Sequence, residues 1–84
     1  MLLSMGLEVA FAQKYVTFKG TVISISKKLL SVEDGKENIM NFVMGRKTQF
    51  DLGRRPDVGE RVEVDYFLKR GNNVAYQVRI KAAQ

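Results

Sequence analysis

The chain has 84 residues, 45% hydrophobic and 27% charged, with 14 lysines and arginines against 9 acids for a net charge of +5. That length holds one domain with a small core and excludes two, and that composition is too apolar for a disordered tail. Cysteine and histidine are both absent, which excludes disulfides, thiolate chemistry, the common zinc sites and imidazole acid–base catalysis, while the positive balance favours anionic neighbours such as nucleic acid, acidic proteins or anionic lipid.

Residues 1–12, MLLSMGLEVAFA, hold no lysine or arginine and end in Ala10-Phe11-Ala12, the small-x-small pattern that signal peptidase accepts. Cleavage there would leave Gln13 as the first residue. The missing basic start and the interruption by Glu8 do not suit a complete export signal. The segment therefore reads as the tail end of one or as a short amphipathic leader, and cytoplasmic and exported locations both stay open. Residues 13–84 then form a single β-barrel domain. No stretch approaches the ~18 consecutive apolar residues of a membrane span, so the chain is expected not to span one.

From Lys14 to Ser26 the chain is strongly β-prone. Val16, Phe18, Gly20 and Val22 share one face by the two-residue period, after which Ile23 and Ile25 take the apolar role on the other. That change of phase predicts a bulge or sharp bend, and Gly20 lets the strand coil so that its two halves pair in different parts of a sheet. Lys27 and Lys28 lie in a turn, and Leu29–Glu33 form a second strand closed by Asp34-Gly35, a strong type I′ hairpin signal. The third strand, Glu37–Met44, puts Met40, Phe42 and Met44 on one face and Ile39 and Val43 on the other. Apolar groups on both faces predict cover or an exposed contact patch.

The alternation stops from Gly45 to Gly59. Phe50 and Leu52 are expected to plug the barrel end from one helical turn spanning Thr48 to Leu52, with Pro56 and Asp57 at the centre of a type I turn. A fourth strand follows, with Val62, Val64, Tyr66 and Leu68 inward and Glu63, Asp65, Phe67 and Lys69 outward. After a reversal at Gly71-Asn72-Asn73, a last strand places Val74, Tyr76, Val78 and Ile80 on one side and Ala75, Gln77 and Arg79 on the other.

The prediction is an all-β, five-stranded small antiparallel barrel, with at most a short helical turn between strands three and four. Through Gly20-x-Val22, Val58-Gly59-Glu60-x-Val62-x-Val64 and Ala75, the stretch Tyr15–Ile80 resembles OB-fold and related small bacterial β-barrel domains of unknown function. It departs from the OB pattern in a third connection too short and too rich in glycine and arginine for the usual helix, which leaves an SH3-like barrel as a neighbouring solution.

Catalysis finds little support. The candidate acids Asp51, Asp57, Glu60, Glu63 and Asp65 fall in turns or on a wet strand face. Glu63 and Asp65 could share a hard cation, but a solvated face accounts for them equally. No phosphate loop, nucleophile elbow or metal-ligand spacing occurs, so neither a cofactor nor a metal is expected. The OB resemblance implies binding of single-stranded nucleic acid or oligosaccharide across strands two and three, flanked by the loops joining strands one to two and four to five. Those loops carry Lys27, Lys28, Lys69 and Arg70, and the long connection adds Arg46, Lys47, Arg54 and Arg55. Phe42 and Phe67 are the expected stacking platforms, with Tyr15 and Phe18 as further candidates, Phe18 reading better as core. The close aromatic spacing of cold-shock-like RNA binders does not occur, and positive charge alone gives only nonspecific attraction. The sequence thus predicts a small basic binding module for single-stranded nucleic acid or another anionic ligand. The alternative is an exported protein-interaction or structural barrel, motivated by Ala10-Phe11-Ala12 and the two-sided third strand. Nothing indicates an oligomeric state.

Overall fold

The computed structural model describes residues 15–81. The strands are β1 (Val16–Ile25), β2 (Leu29–Glu33), β3 (Ile39–Val43), β4 (Gln49–Phe50), β5 (Arg61–Lys69) and β6 (Asn72–Lys81). The five long strands close a barrel in the order β3-β2-β1-β5-β6, with β6 returning to β3. β1 serves both walls: Val16–Thr21 pair with β5, and Thr21–Ile25 pair with β2. The sheet is mixed rather than wholly antiparallel. β3 and β6 run the same way where they meet at Val43 and Val74, and β4 also runs parallel to β6.

Gly20 permits this sharing of β1 by close approach. A Cβ there would lie 2.2 Å from the Glu33 carbonyl oxygen and 2.8 Å from a Val32 methyl, so only a residue without a side chain lets β2 cross so near. The phase change expected from the sequence after Val22 is a bulge between Val22 and Ser24. Ile23, the extra residue, turns toward solvent, while Ile25 packs on the core.

Buried Val22, Leu30, Val32, Phe42, Met44, Val62, Val64, Ala75, Val78 and Ile80 form that core, with Phe18, Met40, Phe50 and Tyr66 packed against it. The inward faces of the middle strands match their alternation. At the barrel ends the alternation continues past the core, so Val16 is 53% exposed and Leu68 71%.

The connections differ from expectation in three places. Between β2 and β3, the Asp34 amide donates to the Asn38 carbonyl across Gly35, Lys36 and Glu37, and positive φ falls at Gly35 and Glu37. This is a three-residue loop, held by the Asp34 carboxylate accepting from the Lys36 amide at 2.7 Å, and not a two-residue type I′ turn. In place of the helical turn over Thr48–Leu52 stands β4, because the Asp51 amide donates to the Val78 carbonyl and its carboxylate accepts from the Ile80 amide. Both bonds tie the segment to β6 instead of to itself. Leu52 is exposed, whereas Phe50 packs against the core and Pro56 is buried. The turn expected at Pro56-Asp57 is centred on Val58-Gly59, with φ of 97° at Gly59 and the Glu60 amide donating to Asp57.

Candidate interaction surface

A second bulge decides what the outer surface carries. In the β5–β6 ladder Asp65 pairs with Gln77 and Tyr66 with Ala75, so Tyr76 is the extra residue. Ala75 turns inward and is buried, and Tyr76 turns outward, the reverse of the unbroken alternation expected for this strand. Once outside, the Tyr76 ring stacks on Tyr15 with centroids 4.4 Å apart at 20°. Phe67 meets Tyr15 edge-on at 5.7 Å. Offset and edge-to-face contacts of this kind add to the apolar area already shared. The three rings, from β5, β6 and the residue preceding β1, line a cleft of about 570 Å³ with Val74, Ala75, Gly45, Thr48, Lys47 and Lys69. No acid lines it.

One wall of that cleft is a turn anchored from within. The Thr48 amide donates to the Gly45 carbonyl, and the Gly45 amide donates to Thr48 Oγ1 at 3.0 Å. The same hydroxyl donates to the Ala75 carbonyl at 2.8 Å in a buried contact. Arg46 and Lys47 are the centre of this turn; Lys47 lines the aromatic cleft and Arg46 lines a second pocket on the other side of Gly45. That pocket, of about 360 Å³, is formed by Lys27, Lys28, Met44, Gly45, Arg46, Phe50 and Arg55, again without an acid. Arg55 is held in place there: its Nη2 donates to the Ser26 and Lys27 carbonyls at 2.9 and 2.6 Å, and its guanidinium lies 5.9 Å from the centre of the Phe50 ring.

The ten residues singled out in the sequence therefore do not form one track. Lys27, Lys28, Arg46 and Arg55 meet in the second pocket, and Lys47, Phe67 and Lys69 meet in the first. Arg54 faces neither; it makes a two-pronged pair with Glu60 at 3.0 and 2.8 Å. Arg70 sits at the β5–β6 reversal with φ of 53° and is exposed. Phe42 is corrected outright: it is 0% exposed and packs between Phe18 and Tyr66, so its ring offers no face to a ligand. Tyr76 is the ring sequence reasoning missed, because no glycine or proline within Val74–Val78 marks the bulge. The outer face of β2 and β3, where an OB barrel takes single strands, presents Leu29, Ser31, Glu33, Ile39, Asn41 and Val43. It has no ring to stack a base and has one acid to repel phosphate.

The carboxylates of Glu60, Glu63 and Asp65 are occupied by partners. The Arg54 guanidinium, helped by the Asp57 amide, holds the Glu60 carboxyl down at about 2. Arg79, followed by the Thr17 hydroxyl, holds Asp65 below the usual carboxylate range, and Arg79 also reaches Glu63 at 3.3 Å. The Glu63 and Asp65 face is thus clamped by a cation of its own.

Fold and surface together define a small closed OB-type barrel with an aromatic cleft and a cationic pocket on its outside. No protein-family model matches the sequence, and no curated protein matches it. Solved structures do match in fold. Silver-bound CusF of Escherichia coli superposes with a TM-score of 0.71 at 12% identity, covering 87% of this chain and 99% of that one. Apo-CusF of the same organism gives 0.70 at 15%, covering 86% and 94%. A further Ag(I)-CusF crystal structure gives 0.69 at 13%, covering 82% and 100%. At such identities the likeness is one of fold.

The silver in two of those structures raises the question of a soft ion here. Soft monovalent ions select thiolate and thioether ligands, with imidazole a further donor for copper. This chain has no cysteine or histidine. Of the described residues Met40 and Met44 carry the only thioethers; Met44 is buried, and its sulfur lies 4.0 Å from the Arg55 guanidinium, a cation that repels another. Among the described residues no group of three histidine, cysteine or acidic side chains converges. The donor set of the described residues does not fit such an ion.

Proposed function

We propose that this chain is a non-catalytic binding barrel, exported from the cytoplasm, that engages another protein through Tyr15, Phe67 and Tyr76. The observation that carries this reading is the aromatic cluster itself. Three rings stand on the outside of a barrel whose core is complete without them, and a bulge turns one of them out. Surface rings gathered in this way leave apolar area in water, a cost that contact with a partner removes. A non-catalytic role agrees with acids held ionised by arginines, since a general acid or base works best with a pKa near the operating pH. Two features speak for protein over nucleic acid. Tyr15 and Tyr76 cover each other's faces, where single strands need separate platforms, and the outer face of β2 and β3 has none. Export rests on Ala10-Phe11-Ala12, which lies outside the described residues.

Site-specific photocrosslinking in the producing cell tests the reading. A photoreactive phenylalanine at position 76 is expected to give a discrete protein adduct that Phe67→Ser abolishes, while the same probe at Lys19 gives none. Adducts to nucleic acid, or equal adducts at both positions, contradict it. Protein made from its natural gene is expected to begin at Gln13 by mass spectrometry; a retained Met1 contradicts export by this signal.

A further inference from the structure

Resting on that reading, we infer that the segment bound is an acidic peptide with an apolar anchor, lying across Gly45 so that the anchor enters the aromatic cleft and its carboxylates reach the cationic pocket. Gly45 lines both pockets and is the saddle between them. It is also the one glycine among the described residues that the fold does not explain. Gly20 is required by the close crossing of β2, and Gly35, Gly53, Gly59 and Gly71 by positive φ. At Gly45 the φ is not positive and an added Cβ would meet nothing within 4 Å. A bare backbone in open space, between two pockets, is what close passage of a ligand requires.

Charge selects the ligand. The aromatic cleft carries Lys47 and Lys69, the second pocket carries Lys27, Lys28, Arg46 and Arg55, and neither has an acid in its lining. Arg55 is prepared for an oxyanion: Nη2 is spent on two backbone carbonyls, and among the described residues no carboxylate pairs with it. Its neighbour Arg54 is neutralised by Glu60, so the charge left over is concentrated in the pocket. A guanidinium fixed this way, beside two lysines, binds carboxylate with less ordering cost than a free side chain.

The test is a titration of the ¹⁵N-labelled protein with a hexapeptide alternating glutamate and phenylalanine, and with its twin carrying lysine for glutamate. The acidic peptide is expected to shift the amides of Lys28, Gly45, Arg46 and Tyr76 together, at low and not at high salt, and the lysine twin to shift none of them. Gly45→Leu should keep the melting temperature and weaken the peptide at least tenfold, whereas Lys19→Ala should leave binding unchanged. If shifts stay in the aromatic cleft and Gly45→Leu binds normally, the crossing is overturned and the aromatic surface stands. If Tyr76→Ser leaves peptide binding unchanged, the aromatic reading falls as well. Equal binding of the lysine twin overturns the charge assignment, and tighter binding of oligothymidine to the same amides overturns the choice of a peptide.

Discussion

Gly20 and Gly45 are the same residue type under opposite constraints, and the contrast can be measured. Gly20→Ala drives a Cβ into the backbone of Glu33 and is expected to destabilise the barrel by about 1–3 kcal/mol or more, as overpacking does. Gly45→Ala should leave the denaturant midpoint where it is. A destabilised Gly45→Ala would mean that the glycine serves the fold. Phe42 and Tyr76 form a second pair. Phe42→Ala should cost about 3–5 kcal/mol because its ring is wholly buried, while Tyr76→Ser should leave core packing intact. Sequence alone grouped Phe42 with the exposed rings, since its strand carries apolar residues on both faces and charge patterning there does not say which side is wet. Neighbouring arginines pose the same difficulty. Nothing in Arg54-Arg55 foretells that one pairs with Glu60 and the other with backbone carbonyls from a distant loop, because both partners are set by the fold.

Among the elements, the middle of the long strands was legible except in β6, and the ends and connections were not. Two-residue alternation reports burial only where a strand has core on one side, as at Val62 and Val64 or at Leu30 and Val32. At Leu68 the same pattern runs on past the barrel end. The β1 bulge showed itself as a change of phase, for Ile23 and Ile25 broke the alternation visibly. The β6 bulge did not, because an alanine and a tyrosine exchanged roles and each is at home on either face. Hydroxyl anchoring of the Gly45–Thr48 turn was likewise invisible, since its acceptor at Ala75 lies on β6. Thr48→Val tests that anchor: losing a buried hydroxyl that serves two backbone partners should cost about 1–3 kcal/mol by chemical denaturation. It should also broaden the amide signals of Arg46 and Lys47. A variant as stable as the parent would show that water replaces the hydroxyl without loss.

Over the whole molecule, charge is sorted along the outside of the barrel. Arg79 gathers Glu63 and Asp65 on β5 and Arg54 gathers Glu60 and Asp57, whereas the cations around Gly45 are left without acids. The sorting sets the response to acid. Glu60 has its folded pKa held at about 2 against an ordinary 4.5, and Asp65 is lowered from 3.8. In the window between the folded and unfolded values the unfolded chain binds more protons. The stability these pairs supply is therefore full above about pH 4.5 and is lost as pH falls toward 2. Denaturant midpoints should drop across that window, and Glu60→Gln should lower the neutral-pH midpoint and flatten the drop; an unchanged slope would remove Glu60 from the account. Barrel closure was legible from strand count and spacing, although the parallel β3–β6 seam was not, since it rests on chain direction at a single pair, Val43 and Val74. All of the proposed binding depends on which side of β6 carries Tyr76. Nuclear Overhauser contacts of its ring decide that directly: the account predicts cross-peaks to the Tyr15 and Phe67 rings and from the Ala75 methyl to core side chains, and cross-peaks from Tyr76 to Phe42 and Val78 instead would contradict it.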